Sequence, residues 1–264
     1  MTSPLVLRCS SLPRAMLCPA SVRDDGMRVD PVSAEGGRGT AAHELLRGLP
    51  ERGTIDWDRV PEVAAEFDVD ADELRMLCAQ GTKLWKEVGD RYGRAVAEVQ
   101  MRAALSPGVV LTGRSDLLAG GMGADWKTGF KDSSYREQML GYCALALFDD
   151  TELDRVTFTL LWVRTGEVES YTLTRADLPA WTARVVDTIA GWDGRTYRPG
   201  EHCAYCPVRY RCEAATAQDR QYVQALTVAG LPADLATWTP EQLDDLKVRA
   251  SAVEALAKHD RRRM

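Results

Sequence analysis

A mixed α/β fold is predicted for this chain by three features of its sequence. Hydrophobic residues make up 45% of its 264 positions, enough to bury a core. Short β-rich runs punctuated by glycine recur through the middle of the chain, as hairpins require. Segments with apolar residues at helical spacing stand before, between and after those runs.

The first 35 residues read as irregular, with Pro, Ser and Gly scattered through them. GRGTAAHELLRGL reads as a short helix, with Thr40 as its cap and His43 one turn in. Residues 49–70 are acidic and contain Pro, which suggests a loop or linker. In ADELRMLCAQGTKLWKEVGDRY, Leu74, Leu77, Cys78, Leu84, Trp85 and Val88 recur at helical spacing, so Cys78 belongs to core packing. RAVAEVQMRA, VVLTGRSDLLAG and GADWKTG read as strands, and Gly120, Gly121 and Gly123 can supply a tight turn between the last two. YREQMLGYCALALF is a helix by composition and length. RVTFTLLWVR and EVESYTLT form a second hairpin turning at Thr165–Gly166, and residues 174–191 a further helix. Near the end, Thr239 as cap, Pro240 at the first helical position and Gln242 three after the cap start a helix striped by Leu243, Leu246, Ala250, Val253 and Ala257. The expected organisation is one domain over residues 1–212 and a helical extension over residues 213–264.

A net charge of −6 argues against a general electrostatic binder of nucleic acid, so any such site must be local. No run approaches the roughly 18 apolar residues of a membrane helix. Arg8, Pro13 and Arg14 interrupt the stretch before Cys18 that would otherwise serve as the apolar core of an export signal. A cytoplasmic protein is expected. Seven cysteines there point to metal or redox chemistry rather than disulfides.

Chemistry concentrates in GRSDLLAGGMGADWKTG. Asp125 and Lys127 are two apart on a strand and share a face. Asp116 lies on the preceding strand, where a hairpin can bring it beside Asp125. Two hard carboxylates suit Mg²⁺ or Mn²⁺. Such an ion activates water and polarises a phosphoryl oxygen, while a lysine can orient that water or neutralise developing charge. A structural Asp–Lys pair at a hairpin explains the same spacing. Glu98 on an earlier strand can add a third carboxylate, and His43 is one of only three histidines. Gln138 and Tyr142, four apart on the next helix, share a face.

The stretch CAYCPVRYRC supplies Cys203, Cys206 and Cys212 in a C-x2-C-x5-C spacing. Zinc and iron–sulfur clusters both accept four thiolates, and spacing does not separate them. Cys9, Cys18, Cys78, Cys143 and His202 are the candidates for the fourth ligand. Cys18 is favoured: it precedes Pro19 as Cys206 precedes Pro207, and it stands ahead of the His43 helix. Arg195, Arg198, Arg209 and Arg211 flank the motif as a local basic patch, with Tyr205 and Tyr210 as stacking faces.

The order of these motifs resembles the RecB-like branch of the PD-(D/E)XK nuclease superfamily: His43 in GTAAHELL, Glu98 in AEVQM, Gly113 to Asp116 in GRSD, Asp125 to Lys127 in DWK, Gln138 to Tyr142 in QMLGY. The resemblance covers residues 18–212. It implies a restriction-endonuclease-like fold, a mixed central sheet flanked by helices. It also implies metal ligation by His43, Asp116 and Asp125, with Lys127 as catalytic lysine. Gln138 and Tyr142 would support the site and the nucleic-acid strand, and Glu98 is the position at which members of the branch differ. One cysteine before the core and three after it is similar to the iron–sulfur nucleases, including CRISPR-associated four-cysteine exonucleases and AddB-type nucleases. By that resemblance Cys18, Cys203, Cys206 and Cys212 hold a structural [4Fe–4S] cluster. The expected activity is a Mg²⁺- or Mn²⁺-dependent DNA exonuclease preferring single strands, acting in recombination, repair or replication. The alternatives are a non-catalytic binding module on a nuclease fold and a zinc-stapled DNA-binding protein. The chain lacks the helicase P-loop pattern, so unwinding would need a partner such as a helicase or a recombination or CRISPR-adaptation protein. The compact format fits a phage or mobile-element origin.

Overall fold

The computed structural model of the protein describes residues 3–23, 34–129, 135–209, 212–217, 221 and 239. The chain divides into two compact units, residues 1–16 with 32–191, and residues 17–31 with 192–264.

In the first unit six strands form one mixed sheet: β1 (Leu5–Arg8), β2 (Val96–Ser106), β3 (Val109–Ala119), β4 (Met122–Lys127), β5 (Arg155–Trp162) and β6 (Glu167–Thr174). The restriction-endonuclease-like expectation of a mixed sheet flanked by helices holds. The strands pair as the glycine turns direct. β3 and β4 form a hairpin turning at Gly120, whose φ of 53° suits glycine. β5 and β6 turn at Gly166, with φ 74°. β4 and β5 are parallel, joined through α7 (Arg136–Asp149).

β3 organises the sheet. One of its edges is lined throughout by antiparallel β2. The other edge is shared: β1 runs parallel to Val109–Thr112, and β4 runs antiparallel to Leu117–Ala119. Residues 113–116 lie between the two ladders, with no strand partner on that edge among the described residues.

Helices cover both faces. α3 (Ala34–Leu46), α5 (Val60–Glu66) and α6 (Ala71–Val88) bury Leu45, Leu46, Val63, Leu77 and Trp85 against Leu117, Ala124, Trp126 and Leu161. Gly81 allows α6 to meet α3: a methyl group there would stand 2.6 Å from a Leu46 methyl carbon. The Asp70 carboxylate caps α6 by accepting from the Glu73 N–H at 2.7 Å. On the opposite face α7 is buried from Gln138 to Leu147, and its Tyr142 ring packs tilted against Phe158, with centroids 5.2 Å apart. A helix buried all round needs no amphipathic pattern. α8 (Leu178–Ala190) buries Leu178, Trp181, Val185 and Ile189.

Two stretches differ from the sequence expectation. The segment 49–70 is not a linker: α4 (Leu49–Arg52), a 3-10 turn (Trp57–Arg59) and α5 bury Leu49, Ile55, Val60 and Val63. Its prolines occupy first-turn positions, which helices tolerate, rather than breaking them. Over residues 3–23 the N-terminus is not irregular. It supplies β1, a 3-10 turn (Cys9–Ser11), α1 (Leu12–Leu17) and α2 (Ala20–Arg23). Thr40 lies inside α3 rather than capping it, because the helix already begins at Ala34. The helix expected after Thr239, together with Tyr210 and Arg211, lies outside the described residues. Among the described residues no helix is long and apolar enough to cross a membrane.

Candidate active site

Four of the singled-out side chains meet where β1 and β4 part along β3. Continuing the Leu117–Ala124 register brings Asp116 opposite Asp125. The main-chain ladder stops there, and the Asp116 carboxylate itself accepts the Trp126 N–H at 2.7 Å. Its other oxygen stands 3.2 Å from His43 Nδ1, delivered by α3. Lys127 Nζ lies 2.6 Å from Asp125 Oδ2 and 4.4 Å from the centroid of the Tyr135 ring. That ammonium is one partner for a buried carboxylate oxygen that can accept more than one, so Oδ2 keeps unused accepting capacity.

The electrostatics follow from crowding. Burial opposes charge on Asp116, but His43, the Trp126 N–H and Lys127 outweigh it and its pKa is lowered. For Asp125, 3% exposed, burial raises the pKa; Lys127 offsets only part of this, and Asp116 adds to the rise. Burial works against protonated His43 and Lys127, yet Asp116 and Asp125 respectively hold both pKa values above their ordinary ones. Two adjacent buried carboxylates, one resisting ionisation and with accepting capacity to spare, form a donor set that a hard divalent cation relieves. The residues therefore fit Mg²⁺ or Mn²⁺, with the Lys127 ammonium standing where positive charge is needed. Among the described residues no three His, Cys, Asp or Glu side chains stand in a ready-made arrangement for a single metal ion.

Gln138 and Tyr142 serve the strand beneath. Gln138 Nε2 donates to the Tyr142 hydroxyl at 3.2 Å, and that hydroxyl donates to the Arg114 carbonyl at 3.0 Å. Gly113 makes the approach possible, since a methyl group there would meet Tyr142 Cε1 at 2.7 Å and Cys9 Sγ at 2.9 Å. Glu98 falls opposite Asp116 in the β2–β3 register, yet its carboxylate engages Arg114 Nε at 2.8 Å. It has φ 57°, a left-handed conformation unusual for a non-glycine strand residue.

Cys18, Cys203, Cys206 and Cys212 lie in the second unit and line one pocket with His202, Arg198 and Arg209. The Arg198 N–H points at Cys18 Sγ from 3.5 Å. Burial raises the Cys203 thiol pKa, and Cys212 and Cys18 add to it, as neighbouring thiols must. No disulfide joins the seven cysteines. Cys9, Cys78 and Cys143 are buried in the first unit, where Cys78 packs between helices as its periodicity predicts.

Sequence reasoning missed Tyr135, Arg114 and the ion pairs of Glu73 with Arg38 and Arg164. Only Tyr135 left a signal, an aromatic residue at the mouth of the α7 helix beyond the D-x-K strand.

No curated protein is a significant match. Among solved structures, SSO0001 is 14% identical over 81% of this chain and 89% of that chain, with a TM-score of 0.40. The family description PD-(D/E)XK nuclease superfamily matches residues 17–213, a span that contains His43, both aspartates, Lys127 and all four pocket cysteines. The chain belongs to the PD-(D/E)XK nuclease superfamily.

Proposed function

We propose that this protein is a metal-dependent DNA exonuclease that prefers single strands, works in recombination, repair or replication, and carries a structural [4Fe–4S] cluster. The observation that carries the nuclease reading is the convergence of His43, Asp116, Asp125 and Lys127 at the parting of β1 and β4. Asp116, Asp125 and His43 would hold Mg²⁺ or Mn²⁺. When bound, that ion lowers the pKa of a water and polarises the phosphoryl oxygen. The protein's own residues do the rest. Trp126 N–H fixes the Asp116 carboxylate, and the Tyr142–Arg114 contact fixes the strand that carries it. Lys127 orients the attacking water and offsets charge developing on the phosphoryl group. The water oxygen bonds to phosphorus and releases a proton to solvent as the opposite P–O ester bond breaks, and the leaving oxygen takes a proton from solvent, giving a phosphate monoester and a hydroxyl end.

The cysteine pocket supports a cluster by its donor set. Burial is the main reason the Cys203 thiol resists ionisation, with Cys212 and Cys18 adding to it, and ligation would offset the cost of holding thiolates in this pocket. A four-iron cluster takes each thiolate on a different iron, so its ligands ring a pocket rather than gather on one point. It would tie residues near Cys18 to those around Cys203–Cys212, converting binding free energy into folding free energy.

The test is cleavage of end-labelled single-stranded DNA in Mn²⁺ or Mg²⁺, native protein beside Lys127→Ala. Stepwise shortening by the native protein alone supports the reading. Equal inactivity of two folded, cluster-loaded proteins favours a binding module. Visible absorption and iron content, lost in Cys18→Ser, test the cluster; a colourless protein with stoichiometric zinc refutes it.

A further inference from the structure

We infer that Arg164 is a positioning residue of the nuclease site, clamping the end of the Lys127 strand to the helix that bears His43; this rests on the nuclease reading above. Lys127 is the last residue of β4, and its carbonyl accepts the Val163 N–H at 2.8 Å. One residue further on, the Thr128 carbonyl takes its hydrogen bond from a side chain, Arg164 Nε at 3.1 Å. The same guanidinium turns a terminal nitrogen to Glu73 Oε1 at 2.7 Å. Glu73, in the first turn of α6, also receives Arg38 of α3 at 3.4 Å on both oxygens. Arg38 stands five residues before His43 on α3. Next to it, Gly39 faces Thr128 so closely that a methyl group would lie 3.3 Å from Thr128 Oγ1.

The result is a closed set of ties: strand end to Arg164, Arg164 to Glu73, Glu73 to Arg38, and Arg38 along α3 to His43. Neither Arg164 nor Glu73 touches the reacting groups. Their effect is to keep the β4 exit and α3 in one register, which sets the aim of Lys127 and the approach of His43 to Asp116. A guanidinium suits the task because its planar fork serves two acceptors in fixed directions, whereas an ammonium is a single point of charge.

The test compares native protein with Arg164→Met, Arg164→Lys and Glu73→Gln, each checked for a cooperative melt. Two readouts are used: kcat and KM on single-stranded DNA, and Mn²⁺ affinity of the protein alone by electron paramagnetic resonance. Arg164→Met is expected to lower kcat at least tenfold with KM within twofold, and to weaken Mn²⁺ several-fold. Arg164→Lys should recover little of either loss, and Glu73→Gln should reproduce part of both from the other side of the contact. A folded Arg164→Met with native kcat and Mn²⁺ affinity overturns the inference, as does full recovery by Arg164→Lys. If native protein binds Mn²⁺ but cleaves nothing, the nuclease reading fails, and the Mn²⁺ arm decides the role of Arg164. If it neither binds nor cleaves, both are overturned.

Discussion

Replacing Gly113 by alanine puts a methyl group where the structure has room for none. The added carbon would lie 2.7 Å from Tyr142 Cε1, 3.0 Å from Tyr142 Cδ1 and 2.9 Å from Cys9 Sγ. Carbon contacts prefer about 3.5–4.0 Å, so the ring must yield by roughly 1 Å. It is poorly placed to do so. Its hydroxyl is tied to Gln138 and the Arg114 carbonyl, and its ring packs against Phe158. Overpacking of this kind costs about 1–3 kcal/mol. At about 2–4 °C per kcal/mol for a chain of this size, the melting temperature should fall by roughly 2–12 °C. Activity should fall as well. The displaced hydroxyl holds the strand two residues before Asp116, and a displacement of about 1 Å can cost around a hundredfold in rate. Calorimetry and kcat on the same preparation measure both effects. Adding Cys9→Ala removes the sulfur contact but leaves the ring, so it should restore less than half of the lost stability. A Gly113→Ala protein that melts within 1 °C of native and cleaves normally would falsify the steric account of the G-x-x-D glycine.

Three further outcomes follow from the geometry. Lys127→Met strips the cation from buried Asp125, and breaking such a pair costs about 3–5 kcal/mol before the acid protonates in response; metal-free protein should melt well below native, and added Mn²⁺ should recover much of the difference, whereas equal melting in EDTA would show the pair to be dispensable. At Glu98, φ 57° penalises any side chain by about 1–2 kcal/mol, so Glu98→Gly should be more stable than Glu98→Ala, the reverse of the ordinary strand ranking, as paired denaturant titrations would reveal. Burial pushes the Cys78 and Cys143 thiols up to about 12, which leaves about one part in ten thousand as thiolate at pH 8; iodoacetamide should leave both unmodified in the folded protein at that pH, and rapid labelling seen by mass spectrometry would contradict their packing.

Much of the site was legible because it is local. Strand alternation put Asp125 and Lys127 on one face, and the glycines between β3 and β4 set a register that brings Asp116 across from Asp125. The meeting of His43 with Asp116 spans 73 residues and came only with the family resemblance. What stayed hidden was either short or distant. β1 has four residues, too few for alternation to register, and its partner strand begins about a hundred residues later. The segment 49–70 was misread because prolines that start helices look, in sequence, like prolines that end them. The Arg164–Glu73 contact joins residues 91 apart, and charged residues at those positions carry no mark of a partner.

The parting of β1 and β4 explains why these motif residues are difficult to separate into structural and chemical ones. A strand edge left unpaired inside a protein exposes main-chain donors and acceptors that must find other partners. Among the described residues this happens along β3 at residues 113–116, and side chains take over the role of the missing strand. Tyr142 donates to the Arg114 carbonyl, while Asp116 accepts the Trp126 N–H that continues the β4 side. The gap is thus the source of the site: it opens space beside Asp125 and Lys127, and it recruits Asp116 and Tyr142 to close the hydrogen bonds around that space. Removing the Asp116 carboxylate should therefore cost a strand contact and, on the proposed nuclease reading, a metal ligand as well. Asp116→Asn is the informative exchange, because its amide oxygen can still accept the Trp126 N–H. If Asn keeps native stability while Ala loses it, and both abolish cleavage, the two roles of Asp116 are separated by measurement; if Ala is as stable as native, the carboxylate is not standing in for the missing strand.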